Sequence, residues 1–265
     1  YAASCFIFTT TSIGRQVGLP SLLYLQEPNR PMYEALPELI WAAPRLQGAA
    51  WQPAVLRQWT GNTARTLMLR AKVRAEIDNA RAYDRILVNS YFSRESVLRT
   101  YGLDAHVCYL GVDTDHFVDR GLAREHFVMG IGAIITLKNI HFLIDALGCV
   151  PEPRPRLVWV GNAADQSYLA ELMRLAQEQQ VEFVPQVNIS DGELIDLLNR
   201  AAAMLYAPRL EPFGYAPLEA GACGCPVITV FEGGMKETVV DGSNGLVTDP
   251  DPAVMAVALT RLLAE

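Results

Sequence analysis

The chain has 265 residues, 51% of them hydrophobic and 19% charged, with 22 basic against 29 acidic side chains and a net charge of −7. That length suggests two domains, the apolar content excludes a disordered chain, and the acidic balance argues against a nucleic-acid partner. Five scattered cysteines, Cys5, Cys108, Cys149, Cys223 and Cys225, suit a reducing compartment better than a disulfide framework, so the cytosol is the expected location.

The chain opens on YAASCFIFTT, with no initiator methionine, basic leader or cleavage site, which reads as a fragment rather than a signal peptide. SLLYLQ is a predicted strand, and the segment from Glu27 to Pro53 a long irregular or helix-turn connection carrying Trp41 and Trp51. These tryptophans and Trp59 read as core more readily than as sugar platforms. A helix is predicted from Asn62 to Tyr83, then a strand at RILVN and a helix at YFSRESVLRTYG, with Ser90 as N-cap and Gly102 as stop. HVCYL is a strand, and GVDTDHF a linker that places the domain boundary between residues 1–110 and 111–265.

Beyond the linker, short apolar runs alternate with amphipathic ones: FVMGIG, KNIHFLIDAL, LVWVG, DQSYLAELMRLAQEQQ, VEFV, SDGELIDLLNRAA and AMLYA. PVITV, MKETVVDG, GLVT and DPAVMAVALTRLLAE continue the pattern. About six strands alternating with helices predict a parallel, doubly wound α/β sheet. The pair Cys223 and Cys225 in GACGCPV has no second ligand pair at metal spacing, and no run of 18 uncharged apolar residues occurs.

Residues 208–221, PRLEPFGYAPLEAG, carry the densest chemistry. The strand before them ends near Ala207, so they form a loop at a strand's carboxyl end, where open parallel sheets bind ligands. Pro217 is tolerated only in a first helical turn, which dates the helix to about Tyr215, and Gly214 allows close backbone approach. Free amides at that mouth favour a phosphate, and the carboxylates of Glu211 and Glu219 suit vicinal hydroxyls. The pattern suggests a ligand with a central phosphate and hydroxyls at both ends, such as a nucleoside diphosphate sugar. The plainer alternative makes the two glutamates a solvated loop residue and a helix-start charge.

Glu211 and Glu219, seven residues between them, followed by PFGYAPLEAGACGCPVI and EGGMKETVVDGSNGLVTDPDP, resemble the retaining glycosyltransferases of family 4 (glycosyl transferases group 1). NSYFSRESVLRTYGLDAHVCYLGVD and YLQEPNRPMYE resemble the same family. The resemblance implies a GT-B fold, two Rossmann-like α/β domains facing a cleft, the first an incomplete acceptor-side domain and the second a nucleotide-sugar domain. It implies transfer of a hexose from a nucleoside diphosphate sugar to a glycan, lipid or small-molecule hydroxyl with retained configuration, by front-face displacement, with no metal and no cofactor. Glu211 would contact the transferred sugar, Phe213, Gly214, Tyr215 and Ala216 would offer amides to sugar and diphosphate, and Glu219 would hold the ribose. Lys138 would neutralise the leaving group, Val184, Gln186 and Val187 would hold the base, and Gln26 and Glu27 would touch acceptor or sugar. The family's first strand, glycine-rich loop and closing helix have no counterpart here, which implies truncation at both ends.

Two positions depart from that pattern: Ala133 stands where the family has an arginine, and Gln26 where it has a histidine. They motivate an alternative, a noncatalytic relative that binds a nucleotide or a partner. The basic run Arg57, Arg65, Arg70, Lys72, Arg74 and Arg81 is either a solvated helix face or, across residues 57–81, a peripheral contact with the inner face of a membrane. His106, His116, His126 and His141 have no metal spacing, GIGAIITLKN lacks the third glycine of a dinucleotide fingerprint, and no P-loop occurs.

Overall fold

A computed structural model describes residues 2–3, 9–29 and 53–264. Cys5, Trp41, Trp51, the side chain of Trp59 and most of the connection from Glu27 to Pro53 lie outside the described residues. The chain divides into two compact units, Tyr1–Tyr109 and Leu110–Glu265.

The first unit holds a four-stranded parallel sheet, β1 (Ala2–Ala3), β2 (Leu22–Tyr24), β3 (Arg85–Val88) and β4 (His106–Val107), in that spatial order. Leu23 pairs with Ile86 in register, and Leu23, Leu25, Ile86, Val88, Val97 and Tyr101 form its core. Helix α1 (Pro53–Arg81) begins well before the predicted start at Asn62. Pro53 suits the first helical turn, where its missing N–H costs nothing, and Gly61 is carried inside for a cost of only about 1 kcal/mol. The fully buried carboxylate of Glu76 on α1 accepts from the Thr9 amide (2.7 Å), the Thr10 amide (2.8 Å) and the Thr10 hydroxyl (2.6 Å), which pins residues 9–10 to the helix. Helix α2 (Tyr91–Tyr101) starts and stops as predicted: Ser90 Oγ accepts from the Ser93 amide at 2.9 Å, and Gly102 takes φ 65°.

The second unit alternates throughout: β5 (Glu125–Ile131), α3 (Ile140–Gly148), β6 (Arg156–Gly161), α4 (Gln166–Glu178), β7 (Phe183–Val187), α5 (Asp191–Arg200) and β8 (Ala201–Tyr206). It continues with α6 (Tyr215–Ala222), β9 (Val227–Val230), α7 (Met235–Thr238), β10 (Gly245–Thr248) and α8 (Pro252–Ala264). The six strands are all parallel, in the order β10-β9-β8-β5-β6-β7. This is the doubly wound arrangement, with helices covering both faces, which is why its central strands are continuous apolar runs. The strand order reverses between β5 and β8, where Met129 pairs with Met204. Cys223 and Cys225 are buried free thiols, as their place between α6 and β9 requires. Burial pushes the Cys225 thiol up to about 12. No helix among the described residues is long and apolar enough to cross a membrane.

Helix α5 is held by a capping box: Ser190 Oγ accepts from the Glu193 amide, and the Glu193 carboxylate accepts from the Ser190 amide at 2.8 Å. Losing an N-cap side chain costs typically ~1 kcal/mol, which in a unit of this size is about 2–4 °C in Tm. Ser190→Ala is expected to lower the thermal midpoint by that amount, with Ser190→Asn close to wild type.

Candidate functional site

Two loops leave the carboxyl ends of β5 and β8, where the strand order reverses, and a parallel sheet splays its loops apart at that point to leave a crevice. The first runs from Gly132 through a 3-10 turn at Thr136–Lys138. Gly132 takes φ 143°, outside the range of ordinary side chains, and a Cβ there would lie 3.1 Å from Lys138 Cε, so the lysine stem lies over the glycine. The Gly132 carbonyl also accepts from the buried Trp159 indole at 2.8 Å, which fixes the loop to β6.

The second loop, residues 207–214, is stitched to the first. The Arg209 amide donates to the Leu137 carbonyl at 3.0 Å, and the buried Asn139 side chain donates to the Ala207 carbonyl at 2.9 Å. Lys138 Nζ then donates to Glu211 Oε2 at 2.8 Å, with the two side chains 21% and 20% exposed. A pair so withdrawn from water is less screened than a surface ion pair, and it sits on the lip of the crevice.

A third segment supports the second loop from behind. The Gly234 amide donates to the Glu211 carbonyl at 2.7 Å, Glu232 Oε1 accepts from the Leu210 amide at 2.9 Å, and Thr238 Oγ1 donates to the Phe213 carbonyl at 3.3 Å. Gly234 lies so close to Pro212 that a Cβ would stand 2.7 Å from the Pro212 carbonyl carbon. Gly214, at φ 82°, opens α6 as an N-cap without a capping side chain, so the partial positive charge of the first turn is left for a ligand.

Of the residues singled out in the sequence, Lys138, Glu211, Phe213, Gly214, Ala216 and Glu219 fall on these two loops and the opening of α6. Phe213 and Ala216 are buried, so what they offer is backbone. Tyr215 turns its hydroxyl away to the Gly111 carbonyl, at 2.8 Å. The Glu219 carboxylate is half-buried and has no hydrogen bond or ion pair to a described residue; burial, and next the Asp191 carboxylate at the start of α5, hold its pKa above the usual value. Val184, Gln186 and Val187 lie on β7, two strands from β5; Gln186 and exposed Val187 are at the same carboxyl end of the sheet, whereas Val184 sits mid-sheet, paired with Val158. Gln26, exposed, and Glu27, half-buried, belong to the first unit, in the turn after β2.

Sequence reasoning passed over Asn139, Glu232, Gly234 and Tyr206. The adjacent glycines of EGGMKE were a visible signal: they form a turn in which Gly233 takes φ 63° and Gly234 allows close backbone approach. Tyr206 carried no signal, because a tyrosine closing a strand is ordinary β-sheet composition.

Residues 113–265 match the family model described as Glycosyl transferases group 1. The chain is 33% identical over 208 residues to a D-inositol 3-phosphate glycosyltransferase 2 of Catenulispora acidiphila, covering 69% of this chain and 48% of that protein. It is 27% identical over 237 residues to an alpha-1,3/1,6-mannosyltransferase of Mus musculus, covering 76% and 56%. The chain thus spans about half the length of the curated relatives it matches. Among solved structures, a sucrose-phosphate synthase from Thermosynechococcus elongatus superposes with a TM-score of 0.70 at 21% identity, over 96% of this chain and 61% of that one. The Anabaena protein HepE in complex with UDP-glucose superposes with a TM-score of 0.60 at 19% identity, over 97% and 80%. At such identities the likeness shows the fold, the parallel-sheet α/β class of the GT-B glycosyltransferases expected from the sequence. With more than half of its residues inside the family model, the chain belongs to the glycosyl transferases group 1 family.

Proposed function

We propose that the chain is the donor-binding part of a retaining glycosyltransferase that moves a hexose from a nucleoside diphosphate sugar to a hydroxyl of a glycan, lipid or small molecule. The observation that carries this reading is the Lys138–Glu211 pair at the crevice, beside the uncapped mouth of α6 and the unpartnered carboxylate of Glu219. A cation, free amides and two hydroxyl-binding carboxylates in one place match a diphosphate with sugars at both ends. The names of curated relatives such as the mannosyltransferase and the D-inositol 3-phosphate glycosyltransferase, and the UDP-glucose bound by HepE, support the same class.

In this mechanism the bond between the anomeric carbon and the phosphate oxygen breaks, and its electron pair leaves with the nucleoside diphosphate. The acceptor oxygen bonds to the anomeric carbon on the same face, and its proton passes to the departing phosphate oxygen. Lys138 and the amides of Tyr215 and Ala216 oppose the charge that grows on that oxygen, which is where fixed dipoles help most. Glu211 orients the transferred sugar, Glu219 the ribose, and backbone at Val184, Gln186 and Val187 the base. Gln26 and Glu27 serve acceptor or sugar, and no protein nucleophile, metal or cofactor is invoked. The reading includes a cytoplasmic setting, with exposed Arg57, Arg65, Arg70, Arg74 and Arg81 on α1 meeting an anionic membrane face.

A panel of UDP, GDP and ADP sugars tests the proposal. One donor should raise the thermal midpoint of the intact protein, and an alpha donor should yield an alpha linkage by NMR. An inverted product would overturn retention. Binding without turnover would favour the second reading, a nucleotide-binding relative without activity. That reading draws on Ala133, which leaves Lys138 as the cation of the first loop while it is already paired with Glu211.

Glu219 adds a pH signature. Because its pKa is raised, Glu219 takes up a proton at a higher pH than an exposed glutamate and then loses acceptor capacity. Donor affinity is expected to fall as the pH drops through that raised value, and titration calorimetry of Glu219→Gln should lack this limb. The sign for stability is opposite: the unliganded fold binds this proton more tightly than the unfolded chain, so the contribution is present at low pH and lost as pH rises through the folded value. Glu219→Gln should therefore leave the neutral-pH midpoint unchanged or higher.

A further inference from the structure

Tyr206 ends β8 at the crevice and is 3% exposed. Lys138 Nζ stands 5.9 Å from its ring centroid, and the carboxylates of Glu211 and Glu219 both act on its phenol. The ring therefore forms a floor beneath the groups assigned to the donor. Its hydroxyl has no hydrogen-bond partner among the described residues, while its backbone carbonyl is taken by Thr229 Oγ1 at 2.7 Å.

The ring is buried but the hydroxyl keeps contact with solvent and is taken up by no described residue, and a strand end that only had to fill space would be served as well by phenylalanine. The charged groups around the ring are those already given to other work in the reading above: Lys138 Nζ 5.9 Å from its centroid, with the fields of Glu211 and Glu219 acting on the phenol. Burial first, then Glu211 and Glu219, hold its proton well above the ordinary tyrosine range, so the group is a neutral donor and not a base.

Resting on that reading of the site, we propose that Tyr206 is a donor-binding residue, giving a neutral hydrogen bond to an oxygen of the nucleoside diphosphate sugar between the positions served by Glu211 and Glu219. A neutral donor adds no charge at the diphosphate. It satisfies one ligand oxygen that the crevice has removed from water, and so discriminates against a ligand that lacks that oxygen.

Tyr206→Phe in the intact protein isolates the hydroxyl, since the ring and its contact with Lys138 remain. Titration calorimetry with UDP-glucose, GDP-mannose, ADP-glucose and the three nucleoside diphosphates should show the wild-type ligand bound about two- to tenfold more weakly by the variant, the range of one neutral hydrogen bond. The thermal midpoint without ligand should be unchanged, because the hydroxyl makes no hydrogen bond to a described residue and meets solvent. Weakening shared by the diphosphate and its sugar ester places the contact on the nucleotide, weakening confined to the ester places it on the sugar, and either supports the proposal. Equal affinity in both proteins overturns it, and a variant that fails to fold makes the hydroxyl structural and overturns it too. A wild-type protein that binds no member of the panel refutes the underlying donor-site reading, and is seen without the variant.

Discussion

Lys138→Met is expected to lower kcat by roughly 10²–10³-fold, the loss typical of removing one preorganised group from a developing oxyanion. The lysine stem lies over Gly132 and its ammonium meets Glu211 at 2.8 Å, so the charge is held in place before any ligand arrives. Negative charge on the leaving phosphate grows toward the transition state, and an interaction that grows with it appears in kcat more than in KM. The thermal midpoint should fall modestly, because methionine keeps the apolar stem but leaves the part-buried Glu211 carboxylate without its cation. Steady-state kinetics and a thermal melt on the same preparation separate the two effects. A KM increase at constant kcat would show that the lysine holds the ground state alone.

Gly234→Ala is expected to be nearly as damaging without touching a ligand. The backbone at Gly234 has φ −81°, a conformation open to alanine, so the whole effect comes from close approach. The added Cβ would stand 2.7 Å from the Pro212 carbonyl carbon and 3.1 Å from Phe213 Cα, both backbone atoms that cannot rotate away. The loop bearing Glu211 must shift, and its hydrogen bond from the Gly234 amide must lengthen or break. Overpacking of this kind costs about 1–3 kcal/mol, and a misplacement near 1 Å at a site costs on the order of 10²-fold in rate. Gly192→Ala, where nothing lies within 4 Å, is the control and should leave both quantities near wild type. Equal behaviour of the two variants would remove Gly234 from the support of the Glu211 loop.

The sequence by itself determined the elements of the second unit, because each is set by local rules. Continuous apolar runs such as LVWVG can be strands only in a sheet covered on both faces, Ser190 with Glu193 announces a helix start, and Pro217 dates the opening of α6. Where the expected boundary missed, at Asn62, α1 starts at Pro53 and runs through Gly61, because an interior glycine costs only about 1 kcal/mol. The tertiary structure alone decided which of these pieces meet. Lys138 and Glu211 are 73 residues apart and touch because β5 and β8 are neighbours at the reversal of strand order. Tyr206 lies under Lys138 for the same reason, and Gly234 presses on Pro212 because β9 lies beside β8. Periodicity reports which face of an element is apolar; it carries no information on which element will cover that face, and the contacts that join these residues are made across exactly that choice.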